Sequence, residues 1–213
     1  ELHPALQAAL EKMGAGKPYH HQAEVVKLAL AGHNVALTTG TASGKTLAFL
    51  VPAFERMLVH PESTAILIYP TKALAWDQFH TASQLKALLG KDDEFFQVAK
   101  YDGDTSTGEK KKIRASGCNL LLTNPDELHA AVLQHHGLWK RFLENLQYII
   151  LDEVHAYSGY FGSNVALVIR RLRAVCEKYG NSPTFIAASA TMDNARDHLK
   201  ALTGAPVKVI KRD

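Results

Sequence analysis

The sequence predicts an α/β domain with a mostly parallel β-sheet and helices on both faces. Three observations carry this. Short apolar runs alternate with longer stretches of helical periodicity along the chain, which is the order of βαβ units. The short runs are apolar at successive positions, as strands buried on both faces require. Two of them end abruptly in clusters of small, basic or acidic residues, and parallel sheets bind ligands beyond the carboxyl ends of their strands.

The first strand is Val35–Thr38; others are expected at 65–69, 97–101, 119–123, 148–151 and 184–188, with a last one at 207–210. Helices are expected over 47–58, 72–89 and 163–179. In the last of these Val165, Val168, Leu172, Val175 and Tyr179 recur at helical spacing. Pro52 falls inside a helical pattern and is expected to kink or end it. Residues 1–18 are expected as an N-terminal helical extension of one domain spanning 1–213. A chain of 213 residues, 46% hydrophobic, suffices for one large domain with a sizeable core.

Several classes are excluded or disfavoured. No apolar run approaches the ~18–20 residues that span a bilayer, and no signal peptide is visible. The missing initiator Met suggests a fragment. Cys118 and Cys176 lie far apart, so neither a disulfide framework nor a zinc ribbon is expected, and a reducing, cytoplasmic setting follows. A net charge of +3 does not by itself imply nucleic acid. The paired histidines His20/His21 and His135/His136 are neighbours that rarely face one metal ion from a regular element.

The strongest chemical signal follows the first strand. Thr39-Gly40-Thr41-Ala42-Ser43-Gly44-Lys45-Thr46 leads into an apolar helix. Small residues let backbone N–H groups wrap a triphosphate, and the helix N-terminus adds its dipole. Lys45 can then reach the β- and γ-phosphates, and Thr46 can offer its hydroxyl to Mg²⁺. The strict pattern starts with Gly where Thr39 stands, and an ordinary βα turn is the alternative. A second apolar strand delivers Asp152-Glu153-Val154-His155. Adjacent carboxylates there are costly unless they serve a cation. Asp152 suits Mg²⁺ and Glu153 suits an attacking water; acids at a helix start are the bland alternative. Ser189-Ala190-Thr191 closes another strand, and alone it reads as a turn or cap.

The order of these motifs resembles the first motor lobe of superfamily-2 helicases. Gln22 comes first, followed by TGTASGKT, PTKALAWDQ (70–78), YDGDT (101–105), LLTNPDELH (121–129), DEVH (152–155) and SAT (189–191). The phrases TGTASGKT, PTKALAWDQ, YDGDT and HAYSGYFGSNVALVIRRLR are similar to the Lhr-related, MrfA/YprA-like branch of DNA helicases. The resemblance implies a RecA-like P-loop NTPase domain that uses ATP and Mg²⁺ and acts on single-stranded or partly duplex DNA. It implies 3′-to-5′ movement linked to DNA repair in a bacterial cytoplasm, at the nucleoid. It further implies a second RecA-like lobe with an arginine finger, not read in the residues that follow Thr191. By the same resemblance Gln22 reads adenine and Tyr19 stacks on it, although a Tyr beside a helix start is as often core. Thr41, Ala42, Ser43, Gly44, Lys45 and Thr46 bind phosphate and magnesium. Asp152 and Glu153 are the catalytic carboxylates, and His155, Ser189 and Thr191 couple the ATP site to DNA.

Three further strand ends, Pro70-Thr71-Lys72, Gly103-Asp104 and Thr123-Asn124-Pro125, are candidates for gripping successive phosphates without reading bases. Plain turn chemistry prefers the same residue types. The basic runs Lys110-Lys111-Lys112 and Arg170, Arg171, Arg173 read as nucleic-acid contacts or solvated faces, and Trp76 as core or stacking platform. Competing functions are an RNA motor of the same architecture, a P-loop small-molecule kinase and a bare nucleotide-binding module.

Overall fold

The computed structural model describes residues 2–40, 44–90 and 96–211. Its centre is a seven-stranded sheet in the order β3-β4-β2-β5-β6-β1-β7. The strands are β1 (Val35–Thr38), β2 (Thr64–Ile68), β3 (Val98–Tyr101), β4 (Leu120–Thr123), β5 (Leu146–Leu151), β6 (Thr184–Ser189) and β7 (Lys208–Lys211). All neighbouring pairs are parallel. Every strand predicted from the sequence is present, within two residues at each end.

Successive residues of the strands feed opposite cores, as the pleat dictates. Val35, Leu37, Ala65, Leu67, Leu120, Leu122, Tyr148 and Ile150 face one layer. Helices α1 (Pro4–Lys12), α2 (His20–Leu30), α3 (Lys45–Val59) and α4 (Lys72–Leu88) supply its other side. Ala36, Ile66, Ile68, Leu121, Ile149 and Leu151 face the second layer. This layer holds α7 (Lys140–Glu144), α8 (Gly159–Lys178) and α9 (Ala195–Thr203), and the one-turn π segment Leu128–Leu133. Two further helices, α5 (Thr107–Ser116) and the short α6 (Pro125–Glu127), follow β3 and β4. The extension formed by α1 buries Leu6, Ala9 and Leu10 in the first core.

Pro52 does not end its helix. α3 runs unbroken from Lys45 to Val59 with Pro52 buried inside it. Proline removes a single backbone donor, while Phe49, Leu50, Ala53 and Phe54 beside it are all in the core. Burial on both sides of the proline outweighs one missing bond.

Helix α8 follows the Asp152–His155 turn closely. Gly162 lies in its first turn, and a methyl group there would overlap the carbonyl oxygen of Tyr157. Alanine is worth about 1 kcal/mol over glycine in a helix interior, yet a clash with backbone cannot be relieved by a rotamer change. Gly162→Ala should therefore destabilise the domain by at least about 1 kcal/mol net, read as a lower urea midpoint.

Candidate functional site

The loop after β1 turns into α3 at Gly44, whose φ of 68° is left-handed. Glycine suits this conformation, and a Cβ would also displace the amide nitrogen of Gln22 from its bond to this turn. The Gln22 Nε2 donates to the Gly44 carbonyl at 2.9 Å, and its Oε1 accepts the Tyr19 N–H at 2.8 Å. One buried amide thus joins the start of α2 to the loop. Thr39 replaces glycine without strain, since Glu153 is the one non-glycine residue with positive φ among those described. Its N–H is donated to the Ser189 carbonyl at 3.2 Å. Thr46 sits half-buried in the first turn of α3. Thr41, Ala42 and Ser43 lie outside the described residues. Tyr19 is 60% exposed, with its ring stacked on His21, so it is a surface residue and not core.

Two strands away, β5 ends in the carboxylates. Asp152 is 1% exposed. Its Oδ2 accepts Gln78 Nε2 at 2.8 Å and its Oδ1 accepts the Glu153 N–H at 2.9 Å. Burial pushes its pKa up to about 6, and the charge of Glu153 adds to this. The Glu153 N–H, Lys45 and Gln78 work in the opposite direction. Glu153 adopts φ 48° and ψ 50°, a left-handed conformation that costs about 1–2 kcal/mol outside glycine. This bend aims its carboxylate between two partners: Lys45 Nζ at 3.4 Å and His155 Nδ1 at 3.2 Å. The same His155 nitrogen lies 3.2 Å from the Ala190 N–H and 3.4 Å from Ser189 Oγ. Its lone pair can accept from Ala190, or a proton on it can go to Glu153, but one nitrogen cannot do both. Thr191 stands exposed just beyond.

The group fits a hydrated divalent cation. Among the described residues no three His, Cys, Asp or Glu side chains gather around one point. Mg²⁺ does not need them, because it keeps several waters and takes one or two carboxylates plus phosphate oxygens. Asp152 offers a carboxylate whose charge is disfavoured by burial, and Gln78 Oε1 beside it is a buried acceptor with no donor among the described residues.

The other half of the upper rim lies on β2, β4 and β3, which are neighbours in the sheet. This brings Pro70, Thr71 and Lys72 beside Asn124 and Pro125, and these beside Gly103 and Asp104. Thr71, Lys72, Gly103 and Asp104 are exposed, with Lys72 Nζ 2.7 Å from Asp104 Oδ1. Thr123 corrects the sequence expectation: it is fully buried and donates its hydroxyl to the Tyr101 carbonyl at 2.7 Å. It braces the rim from below. Asn124 caps α6 by accepting the Glu127 N–H at 2.9 Å, and Pro125 is buried.

Sequence reasoning missed Asp102, the fully buried hub of this rim. Its carboxylate accepts Tyr69 Oη at 3.0 Å and the Asp104 N–H at 3.0 Å, and Lys100 Nζ lies at 3.3 Å. Burial alone would raise its pKa. The Asp104 N–H, the Tyr69 hydroxyl and Lys100 outweigh burial and hold it below the ordinary value. The available signal was Asp-x-x-Thr, since Thr105 Oγ1 takes the Asp102 N–H at 3.0 Å, a local turn bond.

Other candidates separate cleanly. Arg170 and Arg173 donate to the Ala201 and Thr203 carbonyls and close the end of α9. Lys110 pairs with Glu127. Trp76 is 64% exposed and therefore not core.

The profile of the DEAD/DEAH box helicase family matches residues 19–199. The chain belongs to this family. Over 205 residues it is 41% identical to the ATP-dependent helicase YprA of Bacillus subtilis, covering 96% of this chain and 27% of YprA. It is 42% identical to the ATP-dependent helicase HRQ1 of Saccharomyces cerevisiae over 190 residues, 87% of this chain and 17% of HRQ1. The crystal structure of the DUF1998 helicase MrfA bound to DNA and AMPPNP superposes with a TM-score of 0.95 at 39% identity, covering 99% of this chain and 29% of MrfA. The chain is thus an MrfA/YprA-like helicase lobe with a RecA-like fold, spanning under a third of these relatives. No helix among the described residues is long and apolar enough to cross a membrane.

The raised Asp152 pKa has a stability consequence. Its folded value of about 6 exceeds that of the unfolded chain, so the ionised carboxylate weakens the nucleotide-free fold above pH 6. The penalty fades as pH falls through 6 and is gone below about pH 4. Asp152→Asn should raise the melting temperature at pH 7.5, with a gain that shrinks toward pH 4. A pH series of thermal melts without magnesium checks this.

Proposed function

We propose that this chain is the ATP-binding lobe of a cytoplasmic, ATP-driven DNA helicase or translocase that moves 3′-to-5′ and serves DNA repair. The observation that carries this reading is the continuous connection of Lys45, Glu153, His155 and Ser189 across the ends of β1, β5 and β6. The gripping rim of β2, β4 and β3 adjoins it on the same sheet. YprA and HRQ1 are named ATP-dependent helicases, and MrfA is seen with DNA and AMPPNP, which supports both ligands.

In this reading the N-terminus of α3 and the left-handed Gly44 receive the phosphates. Lys45 has an ion pair with Glu153 to give up. An incoming triphosphate competes for the lysine, and release leaves Glu153 free to orient and polarise water. Thr46 and Asp152 would hold Mg²⁺, which neutralises charge on the transferring phosphoryl group. Gln22 would hold the adenine edge and exposed Tyr19 its face. His155, exchanging Glu153 for Ala190, would report the state of the site to the Ser189–Thr191 strand end. Thr71, Lys72, Gly103 and Asn124 would contact backbone phosphates of a single strand, with Asp104, its N–H taken by Asp102, holding Lys72 by their ion pair.

Lys45→Ala should abolish most affinity for ADP or ATP, measured by calorimetry. Glu153→Gln in the full-length protein should keep nucleotide binding and stop turnover; hydrolysis at the parent rate would remove Glu153 from this role.

Among the described residues the contacts of Glu153 bring Lys45 and His155 but no arginine. An arginine finger is worth about 10³–10⁵ in rate. Residues 1–213 alone should bind nucleotide and single strands weakly and hydrolyse ATP barely above background. Adding a second RecA-like lobe should restore DNA-stimulated turnover. Turnover assays with single-stranded DNA, single-stranded RNA and neither polymer test the lobe and distinguish DNA from RNA motors.

A further inference from the structure

We propose that Gln78 is a positioning residue that ties the nucleic-acid rim to the cation-binding carboxylate, and that its free Oε1 receives a water of the bound cation. The inference rests on the ATP and nucleic-acid reading above and adds a residue to it.

Gln78 lies about 9 Å along α4 from Lys72, the first residue of that helix. The start of α4 therefore belongs to the exposed rim, while its second turn reaches under the nucleotide side. Gln78 is only 9% exposed. Its Nε2 donates to Asp152 Oδ2 at 2.8 Å. An ionised carboxylate accepts only, which fixes the amide with nitrogen toward Asp152 and leaves Oε1 on the other side. That oxygen is buried and has no hydrogen-bond partner among the described residues.

A buried acceptor without a donor is costly, and an apolar side chain of the same shape would avoid the cost. A site that keeps such an atom beside a buried carboxylate is suited to a donor that arrives with a ligand. Waters around a hydrated divalent cation are donors only, because their oxygen lone pairs face the metal. A cation held by Asp152 would place such waters within reach of the neighbouring amide. Nε2 would then steady the ligating carboxylate and Oε1 the hydration shell.

Gln78 also gives α4 a mechanical role. Few side chains could carry a displacement of the rim to Asp152 so directly: a strand gripped at Thr71 and Lys72 moves the start of α4, and Gln78 transmits this through one hydrogen bond. The coupling is reciprocal, so cation and nucleotide at Asp152 would tighten the grip on the strand.

The test uses Gln78→Met in the full-length protein. Methionine keeps the length of the side chain and removes both amide functions. Affinity for a fluorescent, non-hydrolysable ATP analogue is measured with and without Mg²⁺, and with and without a single-stranded oligonucleotide. The affinity without magnesium should stay within about twofold, and the variant should still unfold in one cooperative transition, at a melting temperature lowered by the loss of one donor to the Asp152 carboxylate. The tightening due to Mg²⁺ should drop by about tenfold, the scale of lost outer partners of metal ligands. The mutual tightening of nucleotide and oligonucleotide should shrink toward none. Unchanged responses to Mg²⁺ and to oligonucleotide in the variant overturn the proposal and leave the reading of the site intact. A proportional loss of magnesium-free binding also overturns it, because Gln78 would then be a general structural residue. If the parent protein itself binds no nucleotide or no single strand, the underlying reading fails and this proposal with it.

Discussion

The domain is organised around one costly constraint, a carboxylate buried at the end of an apolar strand. Asp152 follows the apolar β5, and burial raises its pKa to about 6. Its neighbours all respond to this charge or exploit it. Glu153 bends into a left-handed conformation and donates its N–H back to Asp152. That bend lets one carboxylate face Lys45 and His155 together. Gln78 reaches from α4 to supply a second donor. A cation at Asp152 would relieve the electrostatic penalty, so binding and folding energetics meet at the same atoms.

Strand order explains how distant motifs become neighbours. The first and sixth strands are adjacent, and β5 comes next. This places the loop of β1, the Ser189 end of β6 and the carboxylates of β5 side by side, although Lys45 and Glu153 are 108 residues apart. β2, β4 and β3 continue the same edge outward. The rim has its own buried charge in Asp102, but this one is satisfied. Tyr69, Asp104 and Lys100 surround it and hold its pKa low. One buried aspartate thus has a lowered pKa, whereas burial leaves the other with a raised one.

Much of this was legible in the sequence, and the limits follow from physics. Strands were legible because burial on both faces demands continuous apolar runs. Lys45, Asp152 and Glu153 could be singled out because their residue types follow apolar strands, and the fold does bring Lys45 and Glu153 together. Pro52 does not end its helix, because local propensity yields to the burial of α3. Thr123 was misplaced because a strand-end hydroxyl can point down to a carbonyl as readily as outward. Gln78 was not found because its contact with Asp152 is encoded by no local pattern, and Asp102 because its Asp-x-x-Thr turn does not reveal the bond from Tyr69. The arginines of α8 looked like a basic patch, while Arg170 and Arg173 in fact complete the C-terminal end of α9.

The carboxylate end of β5 and the rim of β2, β4 and β3 meet at the boundary of β2 and β5. The carbonyl of Ile68, two residues before Pro70, accepts the Asp152 N–H at 3.0 Å and lies 3.3 Å from the Tyr157 hydroxyl. Tyr157 is buried directly after the His155 turn. The backbone that leads into Pro70-Thr71-Lys72 is therefore held by the strand that carries the carboxylates and by the turn that carries His155. Packed interiors do not deform continuously. A movement of the Glu153–His155 turn would then bear on Ile68 and on the start of α4. The coupling proposed between nucleotide and strand would in this way run inside one lobe, through the backbone at Ile68.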